Sequence, residues 1–159
     1  TMNFLTEHGI SNYGELESKL TAISARRDTA HAEIKRIESR SAELTLVMKH
    51  AGTYRQLKPL YDRYRKSNDK EKFLRGHESE IILFEAAARE LKRLGAVPLP
   101  TTESMKTELA NLNAEKERLL AEYKAARTEA QEYDTVKQNV DALLTVPKEQ
   151  EQQRRHELE

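Results

Sequence analysis

No cysteine and no tryptophan occur in the 159 residues, and glycine (five) and proline (four) are scarce. The first absence excludes a disulfide framework, a thiolate metal site and a thiol nucleophile, and it fits a reducing, cytoplasmic setting. So few breakers, with only 6% aromatics, exclude a β-rich fold, which needs frequent turns and β-branched or aromatic runs. No stretch approaches the roughly 18 apolar residues of a membrane span, and the N-terminus lacks a basic-then-apolar leader. A soluble chain with no membrane role is predicted. Its 27 basic and 27 acidic residues cancel, so total charge points to no partner.

What is present is helix-forming: Ala, Glu, Lys, Leu and Arg dominate, with 34% charged against 37% hydrophobic residues. That ratio predicts an all-α fold whose core is a narrow seam. The edges, Thr1-Met2 and the Gln/Glu/Arg-rich stretch from Glu149 to Glu159, read as those of a piece of a longer protein.

Phe4, Leu5 and Ile10, broken at Gly9, predict a short helical turn over residues 1–10. Ser11 is then placed to cap a first long helix, residues 11–51. Its seam positions are Leu16, Leu20, Ile23, Arg27, Ala30, Ile34, Ile37, Ser41, Leu44, Met48 and Ala51. The steps alternate four and three without a slip, the period of a coiled-coil seam. Gly52 and Pro59 predict a bend, because proline inside a helix removes a hydrogen bond at about 3 kcal/mol. Residues 52–100 are expected to form a small bent head with helices over about 53–66 and 70–94. Asn68 or Asp69 would cap the second, and Gly95 would close it. Its apolar stripe is Phe73, Leu74, Ile81, Ile82, Phe84, Ala88 and Leu91.

Thr101 or Thr102 opens a second long helix, 101–146, which Pro147 is expected to stop, leaving 147–159 as a disordered tail. Its seam runs Met105, Leu109, Leu112, Lys116, Leu119, Tyr123, Ala126, Ala130, Tyr133, Lys137, Val140, Leu144. The two seams predict a long antiparallel coiled-coil hairpin with the small helical head in mid-chain. The competing arrangement is a homodimer in which each seam meets its copy. Arg27, Ser41, Lys116 and Lys137 share one heptad position, where polar residues restrict register or snorkel to water.

Little in the sequence suggests chemistry. Histidines at 8, 31, 50, 77 and 156 show no spacing that would bring two imidazoles onto one metal, and His77 beside Glu78 and Glu80 reads as an ordinary surface residue. Isolated glycines make no phosphate loop, and no Gly-x-Ser-x-Gly elbow occurs. Asp62 with Lys66, Glu71 with Arg75 and Glu85 with Arg89 have the spacing of helix ion pairs. No catalytic residue, metal site or cofactor is expected.

One stretch stands out. Lys49, Arg55, Lys58, Arg63, Arg65, Lys66, Lys70, Lys72 and Arg75 face only Asp62, Asp69 and Glu71, so nine cations minus three anions leaves +6. Tyr54, Tyr61 and Tyr64 are interleaved. Clustered cations release counterions on meeting phosphate, and tyrosines stack on unpaired bases. This makes the nine cations and Tyr64 candidates for nucleic-acid contact. The alternative is a solvated helix face whose tyrosines pack inward.

Asn3-Phe4-Leu5-Thr6-Glu7-His8-Gly9-Ile10, with Tyr13 and Leu16, resembles the region just beyond the nuclease domain of relaxases, the mobilisation nucleases of conjugative and mobilisable elements. Tyr61-Asp62-Arg63-Tyr64-Arg65-Lys66, Lys72-Phe73-Leu74 and His77-Glu78-Ser79-Glu80-Ile81 are similar to the same family's C-terminal part. So are Leu99-Pro100-Thr101 and Asn139-Val140-Asp141. Gly14 departs from the pattern, where Glu would complete a capping box with Ser11. The resemblance spans nearly the whole chain and implies a parent enzyme that nicks DNA through a tyrosine and a histidine-bound metal. None of that apparatus has a match here. It implies for this chain an accessory role, binding DNA or docking relaxosome or coupling proteins. The other reading is a structural coiled-coil spacer or homodimerisation module without nucleic-acid binding.

Overall fold

The computed structural model describes residues 1–158, apart from the side chains of residues 146–152. Among the described residues are four α-helices and no strand: α1 (Met2–Glu7), α2 (Tyr13–Lys66), α3 (Lys70–Arg93) and α4 (Thr102–Glu157). The long helices α2 and α4 pack against each other as a hairpin. Its partners climb α2 as they descend α4, the mark of antiparallel pairing. Glu17 lies 3.9 Å from Lys137, Arg26 2.7 Å from Glu129 and Arg40 2.7 Å from Glu108. The chain divides into two compact units, residues 1–34 with 117–159, and residues 35–116.

In the first unit Leu16, Ile23, Ala130, Tyr133 and Val136 form the buried cluster, and Phe4, Leu5, Ile10, Leu20 and Val140 pack against it. Gly9 at φ 64° ends α1, a left-handed conformation that glycine adopts without a Cβ clash. The Ile10 N–H then reaches the Leu5 carbonyl at 2.8 Å and the Gly9 N–H the Thr6 carbonyl at 3.2 Å. That turn drops Ile10 onto the core, while the Phe4 ring meets Tyr133 edge-on at 4.9 Å. Lys137, which the heptads place in the seam, carries its ammonium group to the edge, 3.9 Å from Glu17, as Lys116 of the second unit does 3.5 Å from Glu38.

In the second unit three helices share one core. Ile37, Leu44, Val47 and Ala51 of α2, Ile81, Phe84, Ala87 and Leu91 of α3, and Met105 and Leu112 of α4 are buried. Each fully buried Leu, Ile or Phe side chain contributes about 1.5–3 kcal/mol. Asp69 caps α3 by accepting from the Lys72 N–H at 3.1 Å. Gly95 closes it at φ 69°, with Ala96 N–H on the Leu91 carbonyl at 2.9 Å and Ala96 itself buried. The Thr101 hydroxyl oxygen accepts from the Ser104 N–H at 3.1 Å and opens α4.

Several sequence expectations are corrected. The cap of α2 is Asn12, not Ser11: its side-chain oxygen accepts from the Glu15 N–H at 2.9 Å. Glu15 reaches back one residue beyond the cap and accepts from the Ser11 N–H at 2.8 Å, so a reciprocal pair akin to a capping box forms around Asn12, with the carboxylate on the residue before the cap and not on the cap itself. No break divides residues 52–59. Instead α2 runs unbroken from Tyr13 to Lys66 through Pro59, so residues 11–51 and 53–66 are one helix. Pro59 and Gly52 are both exposed, and the half-buried Leu57, Leu60 and Tyr61 on either side of Pro59 keep that part of α2 docked. Likewise α4 continues past Pro147 to Glu157, where an end at residue 146 and a disordered tail are expected from the proline. The Glu, Gln and Arg beyond it are strong helix formers. Leu144 is 58% exposed and Ile82 54%, so neither belongs to the apolar stripe assigned to it.

Candidate nucleic-acid interface

The cationic stretch lies entirely within the second unit, on the C-terminal part of α2, the 67–69 turn and the start of α3. The turn is tight because the Ser67 hydroxyl accepts from the Asp69 N–H at 3.3 Å while Asp69 caps the next helix. Arg63, Arg65 and Lys66 occupy the last turn of α2, where cations face the negative end of the helix dipole. Lys70 and Lys72 open α3, with Glu71 the acidic residue of that first turn.

The nine cations fall into two groups. Three are committed inside the fold. The Arg55 guanidinium donates to the Pro100 carbonyl and the Thr102 hydroxyl, tying α2 to the start of α4. Lys58 pairs with Asp62 at 3.3 Å, the partner that spacing gives to Lys66. Arg75 donates to the Glu71 backbone carbonyl at 3.4 Å, not to its carboxylate. The other six, Lys49, Arg63, Arg65, Lys66, Lys70 and Lys72, are exposed, and their side chains have neither a hydrogen bond nor an ion pair among the described residues. Lys49 and Arg63 are two heptads apart, which places them on one face of α2 about 21 Å from each other. Five of the six cluster within ten residues at the α2–α3 corner.

The tyrosines turn inward. Phe84 lies between Tyr54 (centroids 4.8 Å, planes 25° apart) and Tyr61 (4.3 Å, 24°), both stacked on it. Tyr64 meets Phe73 at 6.0 Å, and Phe73 meets His77 at 4.7 Å. Tyr64 is thus half-buried in a ring cluster. The reading that leaves these rings under the helix face is the one the geometry follows. Sequence spacing could not settle this, since the residues that receive the rings sit on α3. His77 keeps a side chain 37% exposed, as a surface residue would, but its setting is unusual. It breaks the regularity of α3 at φ −138°, ψ 24°, and its Nδ1 is buried without a hydrogen-bond partner, 3.8 Å from a Glu80 carboxylate oxygen.

Elsewhere, open surface grooves of about 310 and 510 Å³ run along the first unit, beside Leu20 and Ala130 and beside Ala121 and Ala125, and two further concavities are smaller. One of about 140 Å³ in the first unit is lined mainly by Leu5, Ile10, Leu16 and Val140 beside Tyr13. The Tyr13 hydroxyl donates to Asp141 at 2.6 Å, and that hydrogen bond, with desolvation and the carboxylate's charge adding to it, pushes its pKa up to about 12. Another of about 150 Å³ in the second unit holds Arg40 and Glu108, which bond to each other. Among the described residues no three His, Asp or Glu side chains gather as a metal site, and no helix is long and apolar enough to cross a membrane. Comparison with protein-family models, with curated proteins and with solved structures gives no match.

Proposed function

We propose that this chain acts by binding, laying its cationic α2–α3 corner against the phosphate backbone of DNA. The setting we propose is a non-catalytic accessory region of a relaxase, where the same helices would dock relaxosome or coupling proteins. The observation that carries the DNA reading is the set of five exposed cations, Arg63, Arg65, Lys66, Lys70 and Lys72, left without partners. Folding uses Asp62 on Lys58 and Asp69 as a cap, and among residues 63–72 these five cations stand against only two acids, Asp69 and Glu71. Unpaired surface cations release bound counterions from a polyanion, which favours association at low salt. The family setting rests on the sequence resemblance alone.

The test is retention on DNA as salt is raised. Affinity is expected to fall linearly on a log–log plot, and the Arg63→Gln/Arg65→Gln/Lys66→Gln variant is expected to lower the slope by about 3, roughly one per lost phosphate contact. No retention on any DNA at low salt would overturn the proposal. The competing reading, a self-associating spacer without DNA affinity, draws on Leu143 and Leu144, 67% and 58% exposed near the end of the hairpin. It requires a sedimentation mass near twice 18.4 kDa. The buried seam residues are already paired within one chain, and a mass of one chain is expected.

A further inference from the structure

Proteins that grip single strands combine a charged track with aromatic faces on which bases stack. The sequence offers both ingredients side by side, but the fold separates them. Tyr54 and Tyr61 are stacked on Phe84, itself 5% exposed, and Tyr64 is turned onto Phe73. The pattern extends to the whole chain: none of its nine phenylalanine and tyrosine rings is exposed. With no tryptophan, and with the corner tyrosines half-buried and turned onto other rings, the corner offers no open aromatic platform to an unpaired base.

What remains at the corner is charge. Six cations have no internal partner among the described residues, and the guanidiniums and ammoniums among them contact phosphate equally well in any sequence. A duplex presents one negative charge per roughly 1.7 Å of axis, twice the density of either of its strands. Each neutralised phosphate also contributes more counterion release there, about 0.9 against 0.7 in the salt exponent. A surface that reads charge and lacks a stacking platform therefore favours the duplex.

Resting on the proposed DNA-binding function, we infer that the corner is a sequence-indifferent reader of duplex DNA backbone and has no hold on unpaired bases. The committed cations take no part in it. Lys58, paired with Asp62, stays out of the contact, whereas Arg63, Arg65 and Lys66 belong to it.

The experiment compares a duplex with an oligo-dT of equal length, across a salt series, while following tyrosine emission. Six tyrosines and no tryptophan make that emission a direct report of base stacking. The duplex is expected to bind at least about tenfold tighter, with a salt exponent no steeper than about −5 for six cations. Tyrosine emission is expected to stay unquenched by either ligand, and Lys58→Gln is expected to leave the exponent unchanged. Equal or tighter binding of oligo-dT, or quenching on binding it, would overturn the duplex inference and leave DNA binding standing. Failure to bind either ligand at low salt would instead remove the proposed function beneath it.

Discussion

Glu15 accepts two hydrogen bonds from Ser11, one from the backbone N–H at 2.8 Å and one from the hydroxyl at 3.0 Å. Both favour its ionised form and hold the carboxyl below the usual carboxylate range, with Lys19 helping. A carboxyl depressed in the folded state contributes stability above its unfolded pKa, and that contribution is lost as pH falls through the lower folded value. Glu15→Gln should therefore unfold more easily in urea than the parent at pH 7, and the gap should narrow below about pH 4. A gap independent of pH would show that the charge is irrelevant to the cap. The presence of a cap was legible in the sequence, but its register was not. Ser11 and Asn12 are comparable caps, and only the position of the returning carboxylate decides between them.

Interhelix ion pairs fix how α2 meets α4 within each unit. Arg40 grips Glu108 with two guanidinium nitrogens, at 2.7 and 3.1 Å, which lowers the Glu108 pKa and raises that of Arg40. Both side chains stay near 40% exposed, so solvent screening limits the pair to about 1 kcal/mol. Arg40→Glu is expected to destabilise by about that amount, and adding Glu108→Arg to recover most of it, read from urea midpoints. Two additive losses would mean that the pair does not set the register. The seam was legible because Leu16, Ile23, Ile37 and Leu44 obey a strict heptad and are buried. The heptad failed where a third element joins or a partner ends. Val136 is buried because α1 brings Phe4, Leu5 and Ile10 to the same cluster, and Val47 because α3 widens the apolar stripe that α2 must cover. Leu144 is exposed because α2 begins at Tyr13, opposite Asp141, and has no turn left to face it. Pro59 misled for another reason: a lone proline costs about 3 kcal/mol, a sum that many docked turns of α2 offset.

At the scale of the molecule, neutrality conceals a division. Residues 35–116 hold 17 basic and 12 acidic residues, a net +5, and the remaining residues of the other unit hold 10 and 15, a net −5. The cationic unit is one continuous segment whose ends meet, with Arg36 3.8 Å from Glu115 and Lys116 3.5 Å from Glu38. Expressed alone, residues 35–116 should give a helical circular-dichroism spectrum with a cooperative melt, and should bind DNA at least as well as the whole chain. A random-coil spectrum would show that the segment depends on the rest of the hairpin.

The same nesting sets an order on the ribosome. Residues 35–116 can close on themselves once the last of them has emerged, whereas the first 34 must wait, unpartnered, for residues 117–159. Closure would then begin with residues 35–116, and the turn carrying Phe4 and Leu5, which packs on Tyr133 and Val136, would be among the last parts to dock.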